Sequence, residues 1–148
     1  MRIIRFASAS KEIFYGVFSP NRPDIAKIIE GDVPGNYKIT SREEKISLWL
    51  PPIIPLNILA LGINYKKHGD ETAMSCPDQP ILFIKATSSI TGHNHPVVLP
   101  ATGPDMVDYE AELAVVVGKS AKNIKPDQAM DHIFGYSCAN DVSARDWQ

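Results

Sequence analysis

Asp108, Glu110 and Glu112 occupy every second position of "VDYEAELAVVVG", residues 107–118, just before an apolar run. On a strand, side chains at i, i+2 and i+4 share a face, so the three acids align while Tyr109, Ala111 and Leu113 take the other side. A helix turns by about 200° over two residues and would scatter them. The run at 114–117 is rich in β-branched residues and closed by Gly118, which favours the strand. Beyond Leu113 both faces are apolar, which predicts carboxylates at the mouth of a buried strand. Like charges are costly there unless something positive sits among them, and a divalent cation meets that need. A solvated strand end is the alternative reading.

Other residues with chemical capacity lie on either side. His68 and Glu71 stand three residues apart in "GINYKKHGDE". If that segment turns helically, the carboxylate can bind one ring nitrogen while the other acts as a base; a solvated polar loop is the plainer reading. Asp141 precedes a helical pattern in "CANDVSARDWQ", with Ser143 and Asp146 spaced as a capping box. Asp141 reads either as a helix N-cap or as a third carboxylate ligand. Arg145 and Gln148, four and seven residues on, would stack on its face of a helix and offer a guanidinium and an amide to an anion. Lys85 ends "ILFIK" and either snorkels to water or faces a substrate carboxylate. His93 and His95 form an H-x-H pair with no further His or Cys nearby to complete a tetrahedral set, so a polar loop is expected.

The elements that must hold these residues read as mostly short strands. Residues 1–50 give "RIIRFA", "IFYGVF", "IAKIIEG" (a strand or a short helix) and "ISLWL", and "PPIIP" at 51–55 suits a stiff connector. "NILALG" reads as a buried strand, "NYKKHGDE" as a polar turn or helix start, "ILFIKA" and "PVVLP" as strands. "KPDQAMDHIFGY" reads as a helix, with Pro126 near its start and Ala129, Ile133 and Phe134 apolar, and "VSARDWQ" as another. The expected class is α+β, β-rich with a mixed sheet. It divides into a small N-terminal domain with its connector over 1–55 and the first part of a catalytic domain over 56–148.

At 148 residues the chain can bury a sizeable core. Its 44% hydrophobic and 22% charged residues are those of a soluble globular protein. A net charge of −2 without a Lys/Arg-rich block argues against nucleic acid or an anionic membrane as partner. The first residues are broken by Arg2, Arg5, Lys11 and Glu12, so neither a signal peptide nor a membrane span is expected. Cys76 and Cys138 have no CxxC partner, which suits reduced thiols in the cytoplasm, with Cys138 expected as a small buried residue.

In order, "GINYKKHGDE", "FIKATSSITG", "DYEAELAVVVGK" and "GYSCANDVSARDWQ" resemble the fumarylacetoacetate hydrolase superfamily from about Leu59 to Gln148. The first third resembles the small N-terminal domain of bacterial members. The resemblance implies that Glu110, Glu112 and Asp141 ligate Mg²⁺, Mn²⁺ or Ca²⁺, hard cations suited to oxygen donors. It implies His68 as general base oriented by Glu71, and Lys85, Arg145 and Gln148 as contacts to a small oxo-acid substrate. The implied activity is hydrolysis of a C–C bond in acylpyruvate or 2,4-dioxo acids. Oxo-acid decarboxylation, hydroxydienoate isomerisation and ureidoglycolate cleavage are alternatives on the same site. It further implies a homodimer for the full-length protein and a catalytic domain truncated at Gln148, so that an inactive fragment is the rival reading. Ala86 stands where many members carry Pro, a change to a local turn.

Overall fold

The computed structural model describes residues 1–72, 77–103 and 105–148, with the side chains of His68, Glu71 and Thr72 left aside. Cys76 therefore lies outside the described residues. The first five strands are β1 (Arg2–Ala7), β2 (Ile13–Phe18), β3 (Ile25–Gly31), β4 (Tyr37–Lys45) and β5 (Leu48–Leu50). They form one antiparallel sheet in the order β4-β3-β2-β1-β5. Alternation builds its core: Ile4 and Phe6 of β1 and Ala26 and Ile28 of β3 turn inward, and Phe14, Phe18, Ile46 and Trp49 pack against them. Gly16 lets β2 and β3 approach, since a Cβ there would meet the Ala26 Cβ at 2.9 Å. "IAKIIEG" is thus a strand rather than a short helix. Edge strand β4, absent from the sequence reading, is mostly polar, with Arg42, Glu43, Glu44 and Lys45 at its end. Such residues suit an exposed edge.

The second part contains β6 (Ile58–Gly62), α1 (Lys66–Thr72), β7 (Ile81–Lys85), β8 (Val107–Asp108), β9 (Ala111–Val117), β10 (Ile133–Asn140) and β11 (Ser143–Ala144), with 3₁₀ turns at Thr87–Ser89, Pro126–His132 and Arg145–Trp147. β6 pairs with β7, β9 with β10 and β8 with β11, all antiparallel. The expected mixed sheet is therefore not found among the described residues. The fold is rich in strands and poor in helix, with α1 of seven residues as the α-helix described.

Several expectations change. "KPDQAMDHIFGY" is a 3₁₀ turn followed by a strand, because Ile133, Phe134 and Tyr136 are used in β10, with Ile133 opposite Val117 and Tyr136 opposite Val115. "VSARDWQ" is a strand and a 3₁₀ turn, because Ser143 pairs with Asp108. "PVVLP" has no regular structure. β6 is not buried, with Leu59 64% exposed, and Cys138 is exposed opposite Leu113. β9 does alternate, but Leu113, Val115 and Val117 face outward at 59%, 49% and 65% exposure, since no described element of the chain covers that face. Two aromatic contacts join the N-terminal sheet to the rest: Tyr37 edge-on to Phe134 and Trp49 edge-on to His93.

Candidate active site

The acids gather where two strand pairs are interrupted. β8 and β9 break at Tyr109 and Glu110, opposite the break at Asp141 and Val142 between β10 and β11. Across it, the Asp141 N–H donates to the Glu110 carbonyl at 2.9 Å, and the Glu110 N–H donates to Asn140 Oδ1 at 3.0 Å. The backbone is thus satisfied without ladder pairing. Glu112, opposite Ala139, follows on the less exposed face with Ala114 and Val116.

Cations sit among these carboxylates. Lys85, at the end of β7, pairs with Asp141 Oδ1 and donates to the Val142 carbonyl at 3.3 Å, so it turns inward. Arg145 donates through Nε to Asp108 Oδ2 at 2.9 Å, lies 2.8 Å through Nη2 from Glu110 Oε1, and donates through Nη1 to Gln148 Oε1 at 2.8 Å. The side chains of Lys85, Asp141, Arg145 and Glu110 are 26%, 16%, 26% and 28% exposed, which leaves these pairs partly shielded from water. Asp108 does most to hold the Arg145 guanidinium charged, raising its pKa; burial opposes this and Glu110 adds to it.

Because the helix expected after Asp141 is absent, Asp141 is no helix N-cap, and the Ser143/Asp146 capping box does not form; Ala144 precedes the 3₁₀ turn. Arg145 reaches the acids instead because its N–H is anchored on the Met106 carbonyl at 2.7 Å, and Trp147 Nε1 donates to the Thr102 carbonyl at 3.3 Å. Arg145 and Gln148 do come together, though through a 3₁₀ turn.

Glu112 carries the clearest electrostatic signature. Burial pushes its carboxyl above the usual glutamate value, the nearby charges of Glu110 and Asp141 push it further, and hydrogen bonds from Asn64 and Tyr65 pull it back. As placed, no three His, Cys, Asp or Glu side chains among the described residues stand together as a preformed metal cage. The donor chemistry nevertheless fits a hard divalent ion: three oxygen donors, like-charge repulsion at Glu112, and Lys and Arg heads as the present counter-charges.

His68 and Glu71 lie on α1, three residues apart as the sequence suggested, and their side chains fall outside the described residues. His93 stands against Trp49, and His95 Nε2 is buried with no hydrogen-bond partner among the described residues. The sequence reading missed Asn64, Tyr65 and Asn140 as partners of the acids. Asn140 adjoins Asp141, so it could have been found by position. Nothing in the spacing points Asn64 or Tyr65 at Glu112.

Among the described residues no helix is long and apolar enough to cross a membrane. Residues 57–148 match the family model described as Fumarylacetoacetate (FAA) hydrolase C-terminal. A mitochondrial oxaloacetate tautomerase of Xenopus laevis is 49% identical over 113 residues, which is 76% of this chain and 35% of that protein. The crystal structure of 5-carboxymethyl-2-hydroxymuconate delta-isomerase from Mycobacterium smegmatis is similar at 35% identity and a TM-score of 0.86, over 100% of this chain and 57% of that one. That of 2-hydroxyhepta-2,4-diene-1,7-dioate isomerase from Mycobacterium marinum is similar at 33% identity and a TM-score of 0.81, over 100% and 56%. The chain thus spans about a third to somewhat over half of the length of these proteins.

Proposed function

The chain belongs to the fumarylacetoacetate hydrolase family, and on that footing we propose that it carries the acid cluster of a divalent-metal-dependent enzyme acting on a 2-oxo acid and its enol. The observation that supports this most is the backbone bond that sets Glu110 and Asp141 across from each other at the paired strand breaks, with Glu112 two residues further along β9. Held by these three, Mg²⁺, Mn²⁺ or Ca²⁺ would supply Lewis-acid polarisation of an oxo group. Arg145 and Gln148 offer donors to the substrate's carboxylate oxygens, and Lys85 adds positive charge beside them. His68 moves the proton, and Glu71 holds its ring in one tautomer.

Two reaction types share these parts. Proton transfer between keto and enol forms, or along a dienoate, is favoured by the activities for which the Xenopus and mycobacterial relatives are named. Hydrolysis of a C–C bond in an acylpyruvate is the second reading, favoured by the family's description. In it His68 would activate water instead of shuttling a proton on carbon. The working protein is proposed to be a homodimer that binds a small oxo acid, with no nucleic acid or membrane partner. We place it in the cytoplasm, although the Xenopus relative is mitochondrial.

The full protein should be assayed with Mg²⁺ or Mn²⁺ for loss of the enol absorbance of oxaloacetate and, separately, for acylpyruvate cleavage. Metal-dependent activity in either assay, abolished by Glu110→Ala, is the expected result. Activity that survives both metal chelation and Glu110→Ala would contradict the proposal.

A further inference from the structure

The 3₁₀ turn Arg145–Trp147 is tied at both ends to the chain that leads into β8. At its start the Arg145 N–H donates to the Met106 carbonyl at 2.7 Å, one step beyond the pairing of Ala144 with Val107. At its end the Trp147 indole Nε1–H donates to the Thr102 carbonyl at 3.3 Å. The ladder beside these ties is short: β8 and β11 are two residues each, too few to fix an orientation by themselves. Gly103 makes room for the indole. It stands at φ 66, where a side chain is strained, and a Cβ there would lie 2.6 Å from Trp147 Nε1 and 3.2 Å from Trp147 Cδ1. Trp147 is 68% exposed in this chain, so burial of its ring does not account for the residue. What it contributes here is its N–H and its fit over Gly103.

The side chain that depends on both ties is Arg145. Its Nε reaches Asp108 at 2.9 Å, its Nη2 Glu110 at 2.8 Å and its Nη1 Gln148 at 2.8 Å. A guanidinium is a rigid planar fork, so three partners in three directions are met together only when the backbone that carries it is held in place. We infer that Trp147 is a positioning residue for Arg145: its indole, seated on Gly103 and bonded to Thr102, holds the far end of the turn and so keeps the guanidinium spread between Asp108, Glu110 and Gln148. That Arg145 then meets a substrate carboxylate rests on the function proposed above; that Trp147 aims it does not. Affinity for an oxo acid is thereby tied to a hydrogen bond outside the carboxylate cluster. An indole that only clamped the chain would stabilise the fold and leave the fork where it is.

The test compares the unsubstituted full protein with Trp147→Phe, which keeps an aromatic ring and removes the donor, and with Gly103→Ala, whose Cβ displaces the indole but leaves it in the chain. Exchange of the Arg145 Nε–H proton is followed by nitrogen-resolved NMR, and KM and kcat are measured with oxaloacetate and with an acylpyruvate at saturating Mg²⁺. The expected result in both variants is Nε–H exchange about 3–10-fold faster, the size of one lost hydrogen bond, with KM raised by a like factor and kcat changed by less than about 2-fold. In an Arg145→Lys background, Trp147→Phe should move KM by less than about 2-fold further, because the fork that it aims is gone. Unchanged Nε–H exchange in Trp147→Phe would overturn the inference, and with a lower melting temperature it would show a merely structural clamp. A KM rise as large in the Arg145→Lys background as in its absence would overturn it as well. Faster exchange with unchanged KM would support the aiming of Arg145 and contradict its contact with substrate. If the unsubstituted protein turns over neither substrate, the proposed function fails, and Nε–H exchange still decides whether Trp147 places Arg145. If Trp147→Phe does not fold, Gly103→Ala is measured in the same way and must show the faster exchange.

Discussion

Arg145 touches Asp108, Glu110 and Gln148 at once, and that fan of contacts needs the planar fork of a guanidinium. Lysine keeps the charge but supplies a single compact head. Arg145→Lys should therefore raise KM for an oxo-acid substrate by about 10-fold or more, the size of a lost charge-assisted hydrogen bond, while Mn²⁺ affinity stays close to that of the unsubstituted protein. Steady-state kinetics beside a metal titration would check it, and an unchanged KM would remove Arg145 from the substrate site. For the proposed base, His68→Ala should lower kcat by about 10²-fold or more with metal affinity intact. Near-normal turnover at saturating metal would mean that another group moves the proton.

At the scale of elements, the strand breaks do the positioning. Asp141 lies at the end of the regular ladder beside Glu110; its N–H is held by the Glu110 carbonyl, the Glu110 N–H is held by Asn140, and the two side chains turn to Lys85 and Arg145. The acid-bearing face was legible in the sequence because a period of two is unambiguous when charge and β-branched residues alternate. β1, β2, β6 and β7 were legible as short apolar runs between turn signals, whereas the β3 segment reads equally as a short helix. The segments at 125–136 and 142–148 were not: Pro126 and a scatter of apolar residues imitate a helix, while the pairing of Ile133 and Ser143 with residues some 16 to 35 positions earlier decides for strand. Arg145 and Gln148 remain neighbours under either conformation. The hydrogen bond from the Leu113 N–H of β9 to the Tyr65 phenol depends on a tertiary approach and left no local pattern. The turn before Tyr65, where Ile63 stands at a left-handed φ of 52, yields a prediction at this scale. Ile63→Gly adopts φ 52 without a Cβ penalty, so it should not destabilise the fold through backbone strain, and α1 should exchange its amides faster because the turn is no longer fixed. Slower exchange over 66–72 would contradict the role given to this turn.

For the molecule as a whole, two features are testable. The loop at 91–95 lies so close to β5 that a Cβ on Gly92 would stand 2.6 Å from the Trp49 carbonyl oxygen, beside the contact of Trp49 with His93. Gly92→Ala should therefore lower stability by about 1–3 kcal/mol, read as a lower melting temperature. The second feature is the pH dependence set by Glu112. Its carboxyl is raised in the folded state by burial and by Glu110 and Asp141, so its contribution favours folding below the ordinary glutamate pKa and is lost as pH rises through the raised value. A divalent ion that neutralises the cluster should offset that loss. The gain in melting temperature on adding Mg²⁺ should consequently be larger at neutral pH than in mild acid; an equal gain at both would contradict the coupling.

Everything proposed for the site depends on Glu110, Glu112 and Asp141 together holding one divalent cation, and calorimetric titration with Mn²⁺ reads that binding without an assumed substrate. The unsubstituted protein, Glu110→Ala, Glu112→Gln and Asp141→Asn would be titrated side by side, with each variant's fold checked by circular dichroism. One Mn²⁺ per chain is expected in the unsubstituted protein, with binding weakened by about 10²-fold or lost in each folded variant, since every substitution removes a charged oxygen donor. Equal Mn²⁺ affinity in all four proteins, or no binding by the unsubstituted one, would contradict it.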